Sequence, residues 1–236
     1  MNSSKFLKAL DLQSNITPPV WFMRQAGRYL PEYQEIRKNY TNFLDMCKQP
    51  KTCAELALQP IDRYGLDASI LFSDILTIPD AFNLGLAFHE GEGPKFSNPI
   101  SSAEDINHLD AFDVNTLDYV FKAVEETKNL LPKDLPLIGF CGSPWTLAAY
   151  SIEGGGSKDF YKTKSFMQHH PAELQKFLEI LSNACYEYLR QQVLSGVNAI
   201  QIFDSWADLL SETDLEIYSL QYLSLIHISE PTRPYW

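Results

Sequence analysis

The chain has 236 residues, 45% hydrophobic and 21% charged, which is the balance of a globular protein able to bury one sizeable core or part of a larger one. A net charge of −11 without any Lys/Arg cluster argues against a nucleic-acid partner. No apolar run approaches the ~18 residues of a membrane span, and Met1 to Thr17 lacks the parts of a secretory leader, so the cytoplasm is the expected compartment.

In chain order, Pro18-Pro19 introduces a short apolar run, Val20 to Met23, read as a first strand. Three of the six arginines lie between Arg24 and Arg37. Such a local excess either gathers acidic groups of a ligand or forms a solvated helix face. Lys51 to Tyr64 carries apolar residues at helical spacing, and Ser69 to Phe72 is the second expected strand. Asp80 to Pro99, rich in Gly and Pro, reads as an excursion or hairpin. Ser101 with Glu104 has the spacing of a helix-capping pair, Thr116 to Leu131 reads as a helix, and Leu137 to Cys141 as the third strand. Pro171 to Leu194 is the clearest amphipathic helix, with Pro171 suited to its first turn. Ala199 to Phe203 is the fourth strand, and Ser211 with Asp214 is a second capping pair.

Cys47, Cys53, Cys141 and Cys185 have no C-x-x-C spacing and are expected to be buried or idle thiols rather than a zinc or disulfide framework. Gly154 to Gly156 lacks the context of a phosphate loop and is read as flexible backbone near a cleft. His169 and His170, adjacent at a helix start, point apart and make no metal pair.

Short, two-sidedly apolar strands separated by helices predict an α/β fold with a parallel sheet. Each expected strand is followed by polar residues: Arg24 and Arg28, then Ser73 and Asp74, then Gly142 to Pro144, then Asp204 and Ser205. Both a (β/α)8 barrel and a doubly wound sheet set ligands at strand C-termini, and the barrel is the favoured expectation.

The segment from Pro19 through Arg24-Gln25-Ala26-Gly27-Arg28 to Tyr33 closely resembles the N-terminal signature of the uroporphyrinogen decarboxylase family. Four further blocks follow in order: Phe72 to Leu76, Gly139 to Leu147, Tyr150 to Ser157, and Gln201 to Ser205. The resemblance runs to about Leu223. It implies a (β/α)8 TIM barrel with only about its first four βα units present, a homodimer when complete, and neither metal nor organic cofactor.

By this resemblance the activity would be decarboxylation of the four acetate side chains of uroporphyrinogen III, giving coproporphyrinogen III and carbon dioxide in haem biosynthesis. A pyrrole supplies its own electron sink, since protonating a ring carbon creates an iminium-like cation that takes the electrons of the departing carboxylate. Asp74 matches the family's central anion, a group that accepts hydrogen bonds from the pyrrole N–H groups and opposes the developing charge. Arg24 and Arg28, with Gln25, Ala26 and Gly27 between them, match substrate-binding positions. Guanidinium forks pair bidentately with carboxylates, of which the substrate carries eight. Arg24 also matches a residue suspected of proton delivery, a role that an arginine fills only through a neighbouring carboxylate or water. Phe43, Tyr150 and Ser205 correspond to further binding positions, and Arg37 is either an assistant or a surface ion pair.

Four βα units are half of a barrel, and no counterpart of the family's Gly-His-Gly segment occurs; His227 stands in another context. Residues 224–236 do not resemble the family's continuation, and Ser224 to Tyr235 is similar to the translation of a sequencing adapter, so foreign read-through is the expectation for this tail. The fragment itself is expected to be inactive. Two other readings stand beside the decarboxylase: a non-catalytic tetrapyrrole-binding half-barrel or truncation artefact, and a cobalamin-linked methyltransferase, whose zinc ligands have no matching His/Cys cluster here.

Overall fold

The computed structural model describes residues 4–89 and 93–229, and within them the short apolar runs become strands. In chain order these are β1 (Ser69–Ile70), β2 (Leu86–His89), β3 (Gly93–Phe96), β4 (Leu137–Gly142) and β5 (Ala199–Phe203). β1, β4 and β5 form one sheet in the order β1-β4-β5, while β2 and β3 form an antiparallel pair with Leu86 opposite Phe96. β1 runs parallel to β4, with Ser69 opposite Leu137 and Ile70 opposite Ile138. Parallel neighbours joined through helices make this an α/β fold. The described residues divide into two compact units. One comes from Met1–Asp74, Leu117–Phe140 and Gln191–Gln201, the other from Ile75–Thr116, Cys141–Arg190 and Ile202–Trp236.

The first unit is built on two amphipathic helices, Pro50–Tyr64 and Asp118–Leu130, which pack on each other. Cys53, Ala54, Leu56, Ala57 and Pro60 on the one, and Val120, Phe121, Ala123, Val124 and Thr127 on the other, form the buried faces. Thr127 avoids an orphaned hydroxyl by donating to the Ala123 carbonyl at 2.6 Å. The fully buried Gln192 side chain is a false strand neighbour: it accepts from the Phe140 N–H and donates to the Phe140 carbonyl, each at 2.9 Å. That approach requires glycine at 139, where a Cβ would stand 2.5 Å from the Gln192 Oε1.

The second unit centres on the helix Pro144–Glu153, where Pro144 to Ala149, Ser151 and Ile152 are all buried. A helix buried on nearly every face needs a uniformly apolar or self-satisfied surface. Thr146 and Ser151, its two buried hydroxyls, both bond inside the unit. Leu174, Phe177, Leu178, Leu181, Ala184, Cys185, Tyr188 and Leu189, from the first five turns of Pro171–Ser195, add to this unit's core.

Four expectations need correction. Val20 to Met23 forms no strand. Both main-chain groups of Val20 are clasped by one residue, its N–H by Asp67 Oδ2 and its carbonyl by the Asp67 N–H, each at 2.8 Å. No ladder continues, and Val20, Phe22 and Met23 stay about half exposed, at 48%, 50% and 58%. The second strand is shorter than Ser69 to Phe72, although the Leu71 N–H still reaches the Ile138 carbonyl at 2.9 Å. The first capping pair is shifted by one residue: Ser102 caps the helix Ala103–Asn107 and Asp105 reciprocates. Ser211 caps its helix as expected by accepting the Asp214 N–H, whereas the Asp214 carboxylate accepts the Ser211 hydroxyl rather than a backbone N–H. Gly154 to Gly156 is not loose backbone, because Gly155 bridges to Lys95 of β3 with φ of 150°, and a Cβ there would meet the Pro94 carbonyl oxygen at 2.5 Å. The helix Gln221–Ser229 runs past Leu223 without a break and buries Ile226, whereas residues 230–236 of the expected tail lie outside the described residues.

Candidate active site

In the first unit, the loop carrying Arg24 to Leu30 is tied down by its buried members. Gln25, 2% exposed, donates from Nε2 to the Ala68 carbonyl at 2.8 Å, just before β1. The Tyr29 hydroxyl donates back to the Gln25 carbonyl, and the Tyr29 ring stacks on Tyr64. Gln25 Oε1 is buried without a partner. Arg24 and Arg28 remain exposed. Pro31 then opens the helix Pro31–Arg37, whose Glu32 receives two bonds of 2.8 Å from Arg63. Those bonds hold the Glu32 carboxyl below its ordinary range.

Leu30, Tyr33, Met46 and Leu56 make a buried cluster against which Ala26, Phe43 and Phe72 pack. The Phe72 ring lies 6.0 Å from those of both Tyr33 and Phe43. Phe72 leads directly into Ser73 and Asp74, so this cluster holds the chain just before the Asp74 carboxylate at the end of the β1 segment. Asp74 is half-buried, and the Ser73 hydroxyl beside it is buried without a partner. The electrostatic neighbourhood is visible in two weak acids. Burial pushes the Cys47 thiol well up, with Cys53 and then Asp74 adding to the rise while Arg37 and Lys48 oppose it. Burial also raises Tyr33, with Cys47 adding and Arg37 and Arg28 opposing. Asp74 and Arg37 therefore act on Cys47, Arg28 and Arg37 on Tyr33, and Arg37 alone of the three on both. Arg37 donates to the Tyr40 carbonyl at 2.5 Å, a helix-end contact that accounts for its position.

In the second unit, Tyr150 sits near the end of the Pro144–Glu153 helix, edge-on to Phe160 at 6.2 Å and to Trp206 at 5.7 Å. Ser205 is exposed, between Asp204 and Trp206. Asp204 accepts from Ser143 Oγ at 2.5 Å and Thr146 Oγ1 at 2.9 Å on one oxygen, and from Ser219 Oγ on the other. The Trp206 N–H donates to Thr146 Oγ1 at 3.2 Å, and the Trp145 indole donates to the Trp206 carbonyl at 2.8 Å. The expected residues thus gather as Arg24, Gln25, Ala26, Gly27, Arg28, Phe43 and Asp74 in one unit and Tyr150 and Ser205 in the other.

Sequence reasoning noted Asp204 as a strand-end polar residue but missed its three hydroxyl partners, which lie 58, 61 and 15 positions away in the chain. It also missed the Tyr33–Cys47 pair, whose only signal is apolar spacing. His169 and His170 part as expected, His169 toward the Ser165 carbonyl and His170 beside the Phe166 ring. Among the described residues no three His, Cys, Asp or Glu side chains gather as metal ligands would, and no helix is long and apolar enough to cross a membrane.

The family model described as uroporphyrinogen decarboxylase (URO-D) matches residues 1–230. The chain is 50% identical over 222 residues to a uroporphyrinogen decarboxylase of Ruthia magnifica, covering 94% of this chain and 64% of that protein. It is 51% identical over 226 residues to one of Dichelobacter nodosus, covering 96% of this chain and 66% of that protein. The chain therefore spans just under two thirds of the length of these curated relatives. Among solved structures, a methyltransferase from Methanosarcina mazei superposes with a TM-score of 0.76 at 20% identity, covering 97% of this chain and 66% of that one, a likeness of fold.

Proposed function

The chain belongs to the uroporphyrinogen decarboxylase family, and from that premise we propose that its residues form the N-terminal part of a (β/α)8 barrel enzyme converting uroporphyrinogen III to coproporphyrinogen III. Each of the four steps consumes one proton and releases one carbon dioxide. A ring carbon is protonated, the bond to the acetate carboxylate breaks as its electrons enter the iminium-like cation, the exposed methylene takes a proton to become methyl, and the ring proton leaves. The complete enzyme would be a cytoplasmic homodimer, and these 236 residues alone would be inactive.

The observation that carries the reading is the setting of Asp74. A half-buried carboxylate after β1, two residues beyond Phe72, whose ring packs with those of Phe43 and Tyr33, suits an anion that gathers inward-pointing pyrrole N–H groups. Partial burial strengthens its interaction with a developing cation. Arg24 and Arg28 are exposed on a loop whose backbone is anchored through Gln25, the arrangement of clamps awaiting peripheral carboxylates. Ala26 and Phe43 shape the apolar wall, while Tyr150 and Ser205 offer hydroxyls to further carboxylates.

The test is anaerobic incubation of uroporphyrinogen III with a full-length chain carrying these residues, and with residues 1–236 alone. Coproporphyrinogen III from the first and none from the second is the expected result. A folded full-length chain that leaves the substrate unchanged would refute the proposal.

A further inference from the structure

We infer that Asp204 is a positioning residue, which fixes the turn bearing Ser205 and Trp206 without itself meeting the substrate. Which ligand Ser205 and Tyr150 then bind rests on the decarboxylase reading above. The basis is the direction of every bond around the carboxylate. Ser143 Oγ donates to Asp204 and, with its lone pair, accepts the Thr146 N–H at 3.0 Å as the cap of the Pro144–Glu153 helix. Thr146 Oγ1 donates to Asp204 and accepts the Trp206 N–H. Ser219, 1% exposed in a π-helical turn at Glu216–Leu220, supplies the third hydroxyl.

A hydroxyl has one hydrogen, so the acceptor that takes it decides where the lone pairs face. Asp204 therefore orients Thr146 toward the Trp206 N–H and Ser143 toward its own helix. Both oxygens of the carboxylate are engaged by these hydroxyls, while its neighbour Ser205 is exposed. The Ser143 N–H bonds the Phe203 carbonyl at 2.8 Å, so the chain is fastened on both sides of Ser205. The Trp206 ring then supports Tyr150 edge-on and lies 4.5 Å from Phe160. Two proposed substrate contacts depend on this one turn.

Positioning and direct chemical participation make opposite predictions for the amide. Asparagine keeps one oxygen for Ser143 and Thr146 and turns its NH2 toward Ser219, whose oxygen can accept, so the turn survives Asp204→Asn. A reacting carboxylate would be lost as fully in Asp204→Asn as in Asp204→Ala.

The experiment compares wild type, Asp204→Asn, Asp204→Ala and Thr146→Val in a full-length chain carrying these residues. It reads amide hydrogen exchange at Trp206 together with KM and kcat on uroporphyrinogen. The expected result is faster Trp206 exchange in Asp204→Ala and Thr146→Val but not in Asp204→Asn. The two disrupted variants should show KM raised about tenfold, the loss of one substrate hydrogen bond, with kcat changed less than about threefold. Thr146→Val removes the acceptor of the Trp206 N–H together with one of the three donors to Asp204 but leaves the carboxylate with Ser143 and Ser219, so it carries the test if Asp204→Ala does not fold. Unchanged Trp206 exchange in a folded Asp204→Ala or Thr146→Val protein overturns the inference, as does an Asp204→Asn variant with kcat abolished and exchange intact. A parent chain inactive on uroporphyrinogen refutes the decarboxylase reading instead, and the exchange comparison still decides whether Asp204 holds the turn.

Discussion

Around Asp204, three hydroxyl hydrogens end on one carboxylate, and the lone pairs of two of those hydroxyls, Ser143 and Thr146, take up backbone N–H groups. Around Arg24 and Arg28 the backbone and Gln25 are anchored while the guanidinium groups stand in solvent, and Gln25 Oε1 and Ser73 Oγ are buried without partners. The first neighbourhood pairs its carboxylate and three hydroxyls internally, although the buried Trp206 Nε1 beside them has no partner, and so contributes to stability. The second holds charge and hydrogen-bonding capacity in reserve, which costs stability and is the pattern of a site that binds something else. Changes in the two regions should therefore separate into effects on folding and effects on turnover.

The largest effect on stability is expected at Trp145, 1% exposed and bonded through its indole to the Trp206 carbonyl. Trp145→Ala in a full-length chain should cost about 3–5 kcal/mol in urea denaturation, the usual cost of deleting a buried large aromatic. A loss below about 1 kcal/mol would erase the contrast between the units. Arg24→Lys and Arg28→Lys should leave the melting temperature unchanged while lowering kcat/KM by at least about tenfold, because an ammonium lacks the planar two-donor fork. Unchanged kinetics in both would return these arginines to the solvated surface. The smallest effect is expected for Glu32→Gln. The folded-state pKa of Glu32 lies below its ordinary value, so its contribution is present above the ordinary carboxylate range and is lost as pH falls through the depressed value. The variant should be slightly less stable than wild type at neutral pH and indistinguishable from it in strong acid, as read by paired thermal melts.

The sequence disclosed the parts of the fold that depend on local pattern. β5 coincides with the expected Ala199 to Phe203, and Pro50–Tyr64 and Pro171–Ser195 lie within a residue of the expected helices. Val20 to Met23 misled because apolar composition shows that a segment can be a strand, whereas a ladder needs a partner backbone. Here the partner is a single residue, Asp67. The candidate site was drawn from motif residues, and the structure groups two of them, Ala26 and Phe43, with the segment leading to Asp74 on one buried cluster. The Asp204 network was not legible, since its directionality arises from hydroxyls brought together only by folding.

The most direct test of the account is Asp74→Asn in a full-length chain carrying these residues, with coproporphyrinogen formed anaerobically as the readout and the melting temperature as the control for folding. The amide keeps the size and much of the hydrogen-bonding capacity of the carboxylate but removes the charge that would stabilise the cationic intermediate. A loss of about a hundredfold or more in kcat, the scale of removing one preorganised electrostatic group, with an unchanged melting temperature is the predicted result. Near wild-type coproporphyrinogen formation by a folded Asp74→Asn enzyme would contradict it.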